Sequence, residues 1–278
     1  MSIPILLAVL GSALLHATWN ALIKTGTSRL GATVILSLFE MPIGLIVASF
    51  HPLPTAGILP FVAASGLVHF AYKFCLTYAY ARGDLSRVYP LARGAAPLVV
   101  AVASALWLTD IITGTQFTGI AILGIGILMM AQGVLTNGEN RRLIPFALGS
   151  ALATAAYTMI DGQGARLSAD PIAYVAWVFV AEGFLFVMGI LAWKGPGILP
   201  RDRRPWATGA IAALASYAAY AVSVWAMTVA PIALVAAIRE TSILFAVLIG
   251  WLAFREKMTR GKAFAALVIV SGVILTRL

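Results

Sequence analysis

Charged side chains are scarce in this sequence. Asp, Glu, Lys and Arg together make up 10% of its 278 residues, against about a quarter in soluble domains. Cysteine occurs once, at Cys75, which excludes a disulfide within the chain. The three histidines, His16, His51 and His69, stand in no zinc-ligand spacing, and no H-E-x-x-H run is present, so neither metal nor cofactor is expected. A phosphate-binding glycine loop is missing as well, which excludes an ATP-driven pump unless another subunit supplies the nucleotide site. The net charge is +9, yet the basic residues are scattered through short connections with no basic run or nucleic-acid motif, so no nucleic-acid partner is expected.

Apolar residues fill the space that charge leaves. They reach 61% of the chain, with a mean hydropathy of +0.97, the composition of an integral membrane protein. Apolar stretches of about 20 residues recur at 3–24, 31–50, 57–80, 85–108, 114–136, 142–162, 171–193, 205–229, 231–253 and 260–277, which predicts ten transmembrane helices. The first stretch has no basic leader, and its polar pattern returns in the second half, so it is expected to be a retained span rather than a cleaved signal. Lys and Arg number 14 in the odd-numbered connections and 2, Arg166 and Arg277, in the even ones and the C-terminus. Cytoplasmic loops carry the excess of positive charge, so the odd connections are expected in the cytoplasm and both termini outside.

The two halves resemble each other. Gly11-Ser12-Ala13-Leu14 returns as Gly149-Ser150-Ala151-Leu152, Glu40 is matched by Glu182, and Arg93 by Arg239. Five spans is an odd number, so a second copy has to insert upside down, the plan of secondary transporters whose binding site lies where the copies meet. The expected units are 1–138 and 139–278, two inverted five-helix repeats around a central cavity, in an all-α membrane fold.

Ionisable residues at membrane depth are costly and mark function or pairing. Glu40, Glu182, Arg93 and Arg239 fit carboxylate–guanidinium ion pairs within each repeat, a titrating carboxylate, or a guanidinium fork on a substrate anion. Ser12, His16, Asn20 and Lys24 share one face of the first span beside Trp19, and Ser65, His69, Lys73 and Thr77 share one face of the third beside Tyr72. Spans six and eight offer Thr154, Tyr157, Thr158, Asp161 and Tyr217, Tyr220, Ser223. Such stripes either pack between helices or line a wet cavity. Lys73 and Glu240 have no charged counterpart in the other half, and are candidates for cavity lining or for an ion pair. Pro90, Pro97 and Pro231 are candidates for kinks in spans four and nine, with Pro90 and Pro231 also placed for plain helix starts, and the glycines of span five are candidates for close helix packing.

Several runs together resemble the EamA-type branch of the drug/metabolite transporter superfamily. They are His16-Ala17-Thr18-Trp19-Asn20 leading to Lys24, Ala79-Tyr80-Ala81-Arg82-Gly83-Asp84-Leu85-Ser86, Val88-Tyr89-Pro90-Leu91-Ala92-Arg93-Gly94 with Ala96-Pro97, and the closing Gly272-Val273-Ile274-Leu275. The resemblance implies a non-enzymatic carrier in a bacterial inner membrane, with alternating access and a cavity lined mainly by spans one, three, four, six, eight and nine. It makes Trp19, Asn20, Tyr72, Arg93, Tyr157, Tyr220 and Arg239 cavity residues. Family members are usually drawn with both termini cytoplasmic, opposite to the Lys/Arg distribution here. The expected cargo is a small polar metabolite, amino-acid-like or zwitterionic, with proton coupling through a buried carboxylate. A hydrophobic-cation exporter and an organic-anion or phosphonate carrier are the alternatives, ahead of a membrane-embedded enzyme or a lipid-translocation subunit. The partners expected are the solute and the bilayer, with the protein a monomer or homodimer.

Overall fold

The computed structural model describes residues 1–24, 28–81, 92–94, 96–107, 110–130, 142–253, 255 and 258–278, with only the backbone at Lys24 and Tyr80. The whole run from Arg82 to Leu91, with Arg87 and Pro90 in it, and Gly133, Arg141, Glu256 and Lys257 lie outside the described residues. The described elements are all helical, as a chain in lipid requires if each backbone amide is to find a partner within its own segment. In order they are α1 (Ile3–Lys24), α2 (Arg29–Ala48), α3 (Leu59–Tyr80), α4 (Ala96–Trp107), α5 (Gly114–Met130), α6 (Leu143–Leu167), α7 (Pro171–Lys194), a single 3₁₀ turn (Pro196–Ile198), α8 (Arg203–Val229), α9 (Ile232–Arg239), α10 (Ser242–Ala253) and α11 (Arg260–Leu275). Seven segments are long and apolar enough to cross a bilayer: α1, α2, α3, α6, α7, α8, and α9 with α10 taken together.

Local sequence explains the helix starts. Ser28 caps α2 by accepting from Gly31 N at 3.2 Å. Thr113 and Gln116 exchange side-chain and backbone bonds of 3.2 Å in a capping box ahead of α5. Asp170 caps α7 through Ile172 N and Ala173 N at 2.9 and 3.1 Å, with Pro171 in the first helical position, where its missing N–H costs nothing. Helix α6 runs five residues past the span expected at 142–162. Its Gly162 and Gly164 lie against Ile232 and the ring of Tyr174, so tertiary contacts hold the extra turn.

Of the two readings of Pro231, kink or helix start, the helix start holds, since it caps α9. Residues 92–94 ahead of Pro97 are helical too, with residue 95 outside the described residues. The ninth span breaks instead at Glu240–Thr241, where Glu240 N and Thr241 N turn back onto Ala237 O and Ile238 O at 3.1 and 3.0 Å. Pro42, inside α2, removes an intrahelical donor two residues after Glu40.

Helices from the two halves interleave. α1 packs on α8, α3 on α6, α2 on α7, and α5 on α11. Absent side chains permit the closest approaches. A Cβ on Gly119 would stand 2.7 Å from Thr276 N and 2.8 Å from Gly272 O, and one on Gly272 would stand 2.6 Å from Leu123 N. Gly119, Gly124 and Gly126 do meet neighbours as small residues at helix interfaces do, whereas Gly114 has nothing within 4 Å. On α2, Gly44 lies against Ala176 O of α7, and Gly183 of α7 lies against Met41 and Ser37 O. Leu7, Leu67, Leu152, Phe184, Leu214 and Leu267 stay exposed, one on each of six helices, an outer surface suited to lipid.

A clamp closes one end. Arg166 forks Asp110 at 2.8 and 3.1 Å and donates to the Met227 and Ala230 carbonyls at 2.8 and 2.9 Å, while Asp110 accepts from Ile232 N at 2.8 Å. One ion pair thereby satisfies both the last carbonyls of α8 and the first amide of α9.

Two predictions follow from this packing. Gly119→Ala is expected to lower thermal stability by roughly 1–3 kcal/mol, because backbone atoms are what its Cβ would strike, whereas Gly11→Ala, with open space around it, should leave the melting temperature unchanged or raise it. Equal effects would remove the α5–α11 contact as the reason. The Asp170 carboxyl, outside the spans, lies below the ordinary aspartate range. Its slight burial opposes ionisation, and the hydrogen bond from His51 and the amides of Ala173 and Ile172 outweigh that. Its contribution is therefore complete above about pH 4 and is lost as the pH falls through the lower folded value. Asn also caps well, so Asp170→Asn isolates the charge. Its melting temperature should approach the wild-type value in acid, and a gap that persists there would exclude the charge as the cause.

Candidate functional site

The polar stripes of α1, α3, α6 and α8 turn inward and meet in the interior. Ser12 on α1 donates to Ala219 O at 2.6 Å and lies 2.7 Å from Ser223 Oγ, so part of the stripe is helix-to-helix contact. The remaining residues form three clusters.

The first joins three helices around Lys73. Its ammonium donates to Ser37 Oγ (2.8 Å) and Glu40 Oε2 (2.7 Å) of α2, and to Glu182 Oε1 (2.9 Å) of α7. An ammonium has three protons, and all three are used. Two carboxylates face one cation, and Glu182 Oε2 has no hydrogen-bond partner.

The second cluster holds the two arginines. Arg93 forks Glu240 through Nε (2.7 Å) and a terminal nitrogen (2.5 Å), and a further nitrogen reaches Tyr72 OH at 3.4 Å. Arg239 is held more loosely. One terminal nitrogen makes 3.4 Å bonds to Tyr157 OH and Thr158 Oγ1, and Nε stands 3.9 Å from Glu240 Oε1. Its guanidinium carbon lies 5.7 and 5.8 Å from the ring centres of Tyr157 and Tyr220, within cation–π range.

Asp161 centres the third. It is fully buried, accepts from Tyr174 OH at 2.8 Å and from Tyr220 OH, and lies 3.9 Å from His69 Nδ1. His69 stacks on Tyr157 with ring centres 4.0 Å apart and meets Tyr220 edge-on at 5.4 Å. On α1, Trp19 Nε1 donates to His16 Nδ1 at 3.2 Å, and Asn20 Nδ2 donates to His16 O at 2.9 Å.

Glu240 meets an arginine, a pairing among those expected of it, but the two glutamates of the matched pairs do not. Glutamate was expected to meet arginine within each repeat. Instead α2 and α7 lie close enough at Gly44 and Gly183 to bring Glu40 and Glu182 toward each other, and Lys73 stands between them. The arginine of the first half is matched by Glu240 of the second, because the break after α9 falls where α9 packs on α4. Lys73, a candidate for cavity lining, keeps no proton free for a solute in this arrangement. Tyr157, Tyr220 and Arg239 touch one another and His69, Tyr72 and the Arg93–Glu240 pair, whereas His16, Trp19 and Asn20 bond among themselves on α1, with Trp19 packed on Leu36, Ala212 and Ala213.

Sequence reasoning placed Asp161 in a polar stripe without singling it out, and passed over Tyr174. Asp161 had a usable signal, since it follows Ser150, Thr154 and Thr158 along one helical face. Tyr174 had none. Among the described residues, no three His, Cys, Asp or Glu side chains gather as a metal site.

The described residues are all-helical, with seven membrane-length segments among them and charges gathered between the helices, which fits a multi-pass membrane protein. Residues 141–278 match the model of the EamA-like transporter family, and through this half the chain belongs to that family of the drug/metabolite transporter superfamily. The family is one of transporters rather than enzymes. A solved structure titled only "Crystal structure of protein" has a TM-score of 0.78 over 99% of this chain and 98% of its own, at 17% identity, which shows a shared fold. No curated protein matches the chain.

Lys73→Met is expected to destabilise by roughly 3–5 kcal/mol, because it leaves two buried carboxylates without their cation. The triple variant Lys73→Met/Glu40→Gln/Glu182→Gln should recover much of that loss, as apolar or neutral replacement of a whole ion cluster commonly does. Melting curves in detergent read the difference. A triple variant no more stable than the single one would show that the lysine stem, and not the charge balance, is what matters.

Proposed function

We propose that this protein is a secondary active transporter of a small polar metabolite, working by alternating access between two inverted five-helix repeats, 1–138 and 139–278. The exchange of partners supports the repeat. α1 on α8 is the counterpart of α6 on α3, and α2 on α7 pairs the two equivalent helices. Ten spans complete this plan if α4, α5 and α11 each cross, and α9 with α10 count as one. The observation that carries the reading is that compensated buried charges lie between the halves, at Glu40–Lys73–Glu182 and Arg93–Glu240. Rocking of one repeat against the other has to break or remake such pairs, so they bias a two-state element.

Proton coupling fits the first cluster. Two carboxylates share one ammonium, and a proton on the unpartnered Glu182 Oε2 neutralises the excess charge. The buried charges favour a polar, amino-acid-like or zwitterionic solute over a hydrophobic cation, since the guanidinium of Arg239 already covers the Tyr157 and Tyr220 rings. The Lys/Arg distribution supports cytoplasmic odd-numbered connections in a bacterial inner membrane.

The test is efflux from proteoliposomes loaded with a small-metabolite extract and followed by mass spectrometry. A few polar solutes should leave faster than from protein-free liposomes, with a rate that responds to a pH gradient. Glu182→Gln should keep solute binding and flatten the pH response. Unchanged efflux of every solute, together with accelerated movement of labelled lipid between leaflets, would replace the carrier with a lipid-translocation protein.

A further inference from the structure

The two symmetry-related arginines are not used alike. Arg93 is fully buried, and its fork on Glu240 is a complete charge-assisted pair. Arg239 is 2% exposed, and the nearest carboxylate oxygen to its Nε, at 3.9 Å, belongs to the Glu240 that Arg93 already holds. A guanidinium presents five donors. That of Arg239 makes two long bonds, both at 3.4 Å, and its Nε–H has no partner. A dry cation so poorly met is costly unless something else completes it.

Other unpartnered polar atoms stand on the helices around it. Trp19 donates to His16 Nδ1, so the neutral His16 ring carries its proton on Nε2. That Nε2–H is buried without a partner, on a helix that packs against α9. The Thr154 hydroxyl, one turn before Thr158 on α6, is unpartnered, as is the Asn20 carbonyl one turn after His16 on α1. The helices that carry these residues are in contact: α1 packs on α9, and α9 on α6. Two buried donors, Arg239 Nε–H and His16 Nε2–H, are thus left without acceptors.

We propose that Arg239, and not its repeat counterpart Arg93, receives the anionic group of the solute. A carboxylate or phosphonate takes the Nε edge of Arg239 in a bidentate fork and accepts from His16 Nε2. Asn20 Oδ1 is then placed to accept from an ammonium or hydroxyl on the same solute, with Thr154 as a further contact and the rings of Tyr157 and Tyr220 supporting the guanidinium. This deepens the carrier reading and rests on it. It names a small organic monoanion, amino-acid-like where an amine is also present, and it removes Arg93 and Lys73 as anion receptors because Glu240 already occupies the Nε edge of Arg93 and all three protons of Lys73 are used.

The experiment uses the purified full chain in detergent and four probes that differ only in the head: propionate, ethylphosphonate, propylammonium and propionamide. Thermal stability is recorded as a function of probe concentration. Propionate or ethylphosphonate should stabilise the protein, and propylammonium and propionamide should not. Arg239→Gln should weaken the anion response by about ten-fold or more, the loss of a charge-assisted fork. Arg239→Lys keeps the charge without the fork, so it should retain a weaker response and serves if the glutamine variant does not fold. His16→Ala should weaken the response less.

A response to propylammonium or propionamide alone, an anion response unchanged in Arg239→Gln, or no response to any of the four overturns the assignment. The efflux measurement separates this from the carrier reading. Efflux of a cationic or neutral solute would sink the anion site and leave the carrier standing. An Arg239-dependent anion response without any efflux would leave the site and sink the carrier.

Discussion

The interior of this protein is governed by one constraint: a charge removed from water must be met by another charge or by a full set of hydrogen bonds. Lys73 shows how far that constraint reaches. Its three donors fix α3 to Ser37 and Glu40 on α2 and to Glu182 on α7, so one side chain sets the spacing of three helices. The arrangement is possible because Gly44 and Gly183 let the α2 and α7 backbones approach, which brings two carboxylates to the same ammonium. Helix packing and charge pairing are here a single problem. The small residues determine how close the carboxylates come, and the lysine makes that closeness tolerable.

Near-symmetry provides the frame, and its violations provide the chemistry. Glu40 and Glu182 correspond, as do Arg93 and Arg239. Lys73 faces an alanine in the corresponding position, Ala219, and Glu240 corresponds to Gly94. Each unmatched charge resolves one matched pair. Lys73 binds both glutamates, and Glu240 binds one arginine and leaves the other with weak partners. Corresponding positions of the sequence thereby acquire different surroundings.

The ends of the helices follow the same economy. Asp110 and Arg166 satisfy each other, the final carbonyls of α8 and the first amide of α9, all in one place. Arg166 is one of the few basic residues outside the odd-numbered connections, and these bonds are a structural reason for its presence. The break at Glu240–Thr241 works in a similar way. By ending α9 at that level, the chain turns the Glu240 carboxylate onto Arg93 across the α9–α4 contact.

Much of this was legible from residue order. Hydropathy over windows of membrane length located the seven membrane-length segments found among the described residues, because lipid imposes length and composition on each segment independently of its neighbours. Caps such as Ser28 and Asp170 were local for the same reason: their partners lie two or three residues away. The identity of the buried charges could also be read, since an ionisable residue in an apolar run stands out wherever its partner is. Their pairing could not. Glu40 meets Lys73 and Arg93 meets Glu240 at sequence separations of 33 and 147 residues. Which carboxylate faces which cation depends on how closely α2 approaches α7 and where the ninth span breaks. Those are properties of packed helices, decided by steric contacts between segments that carry no mark of one another in sequence.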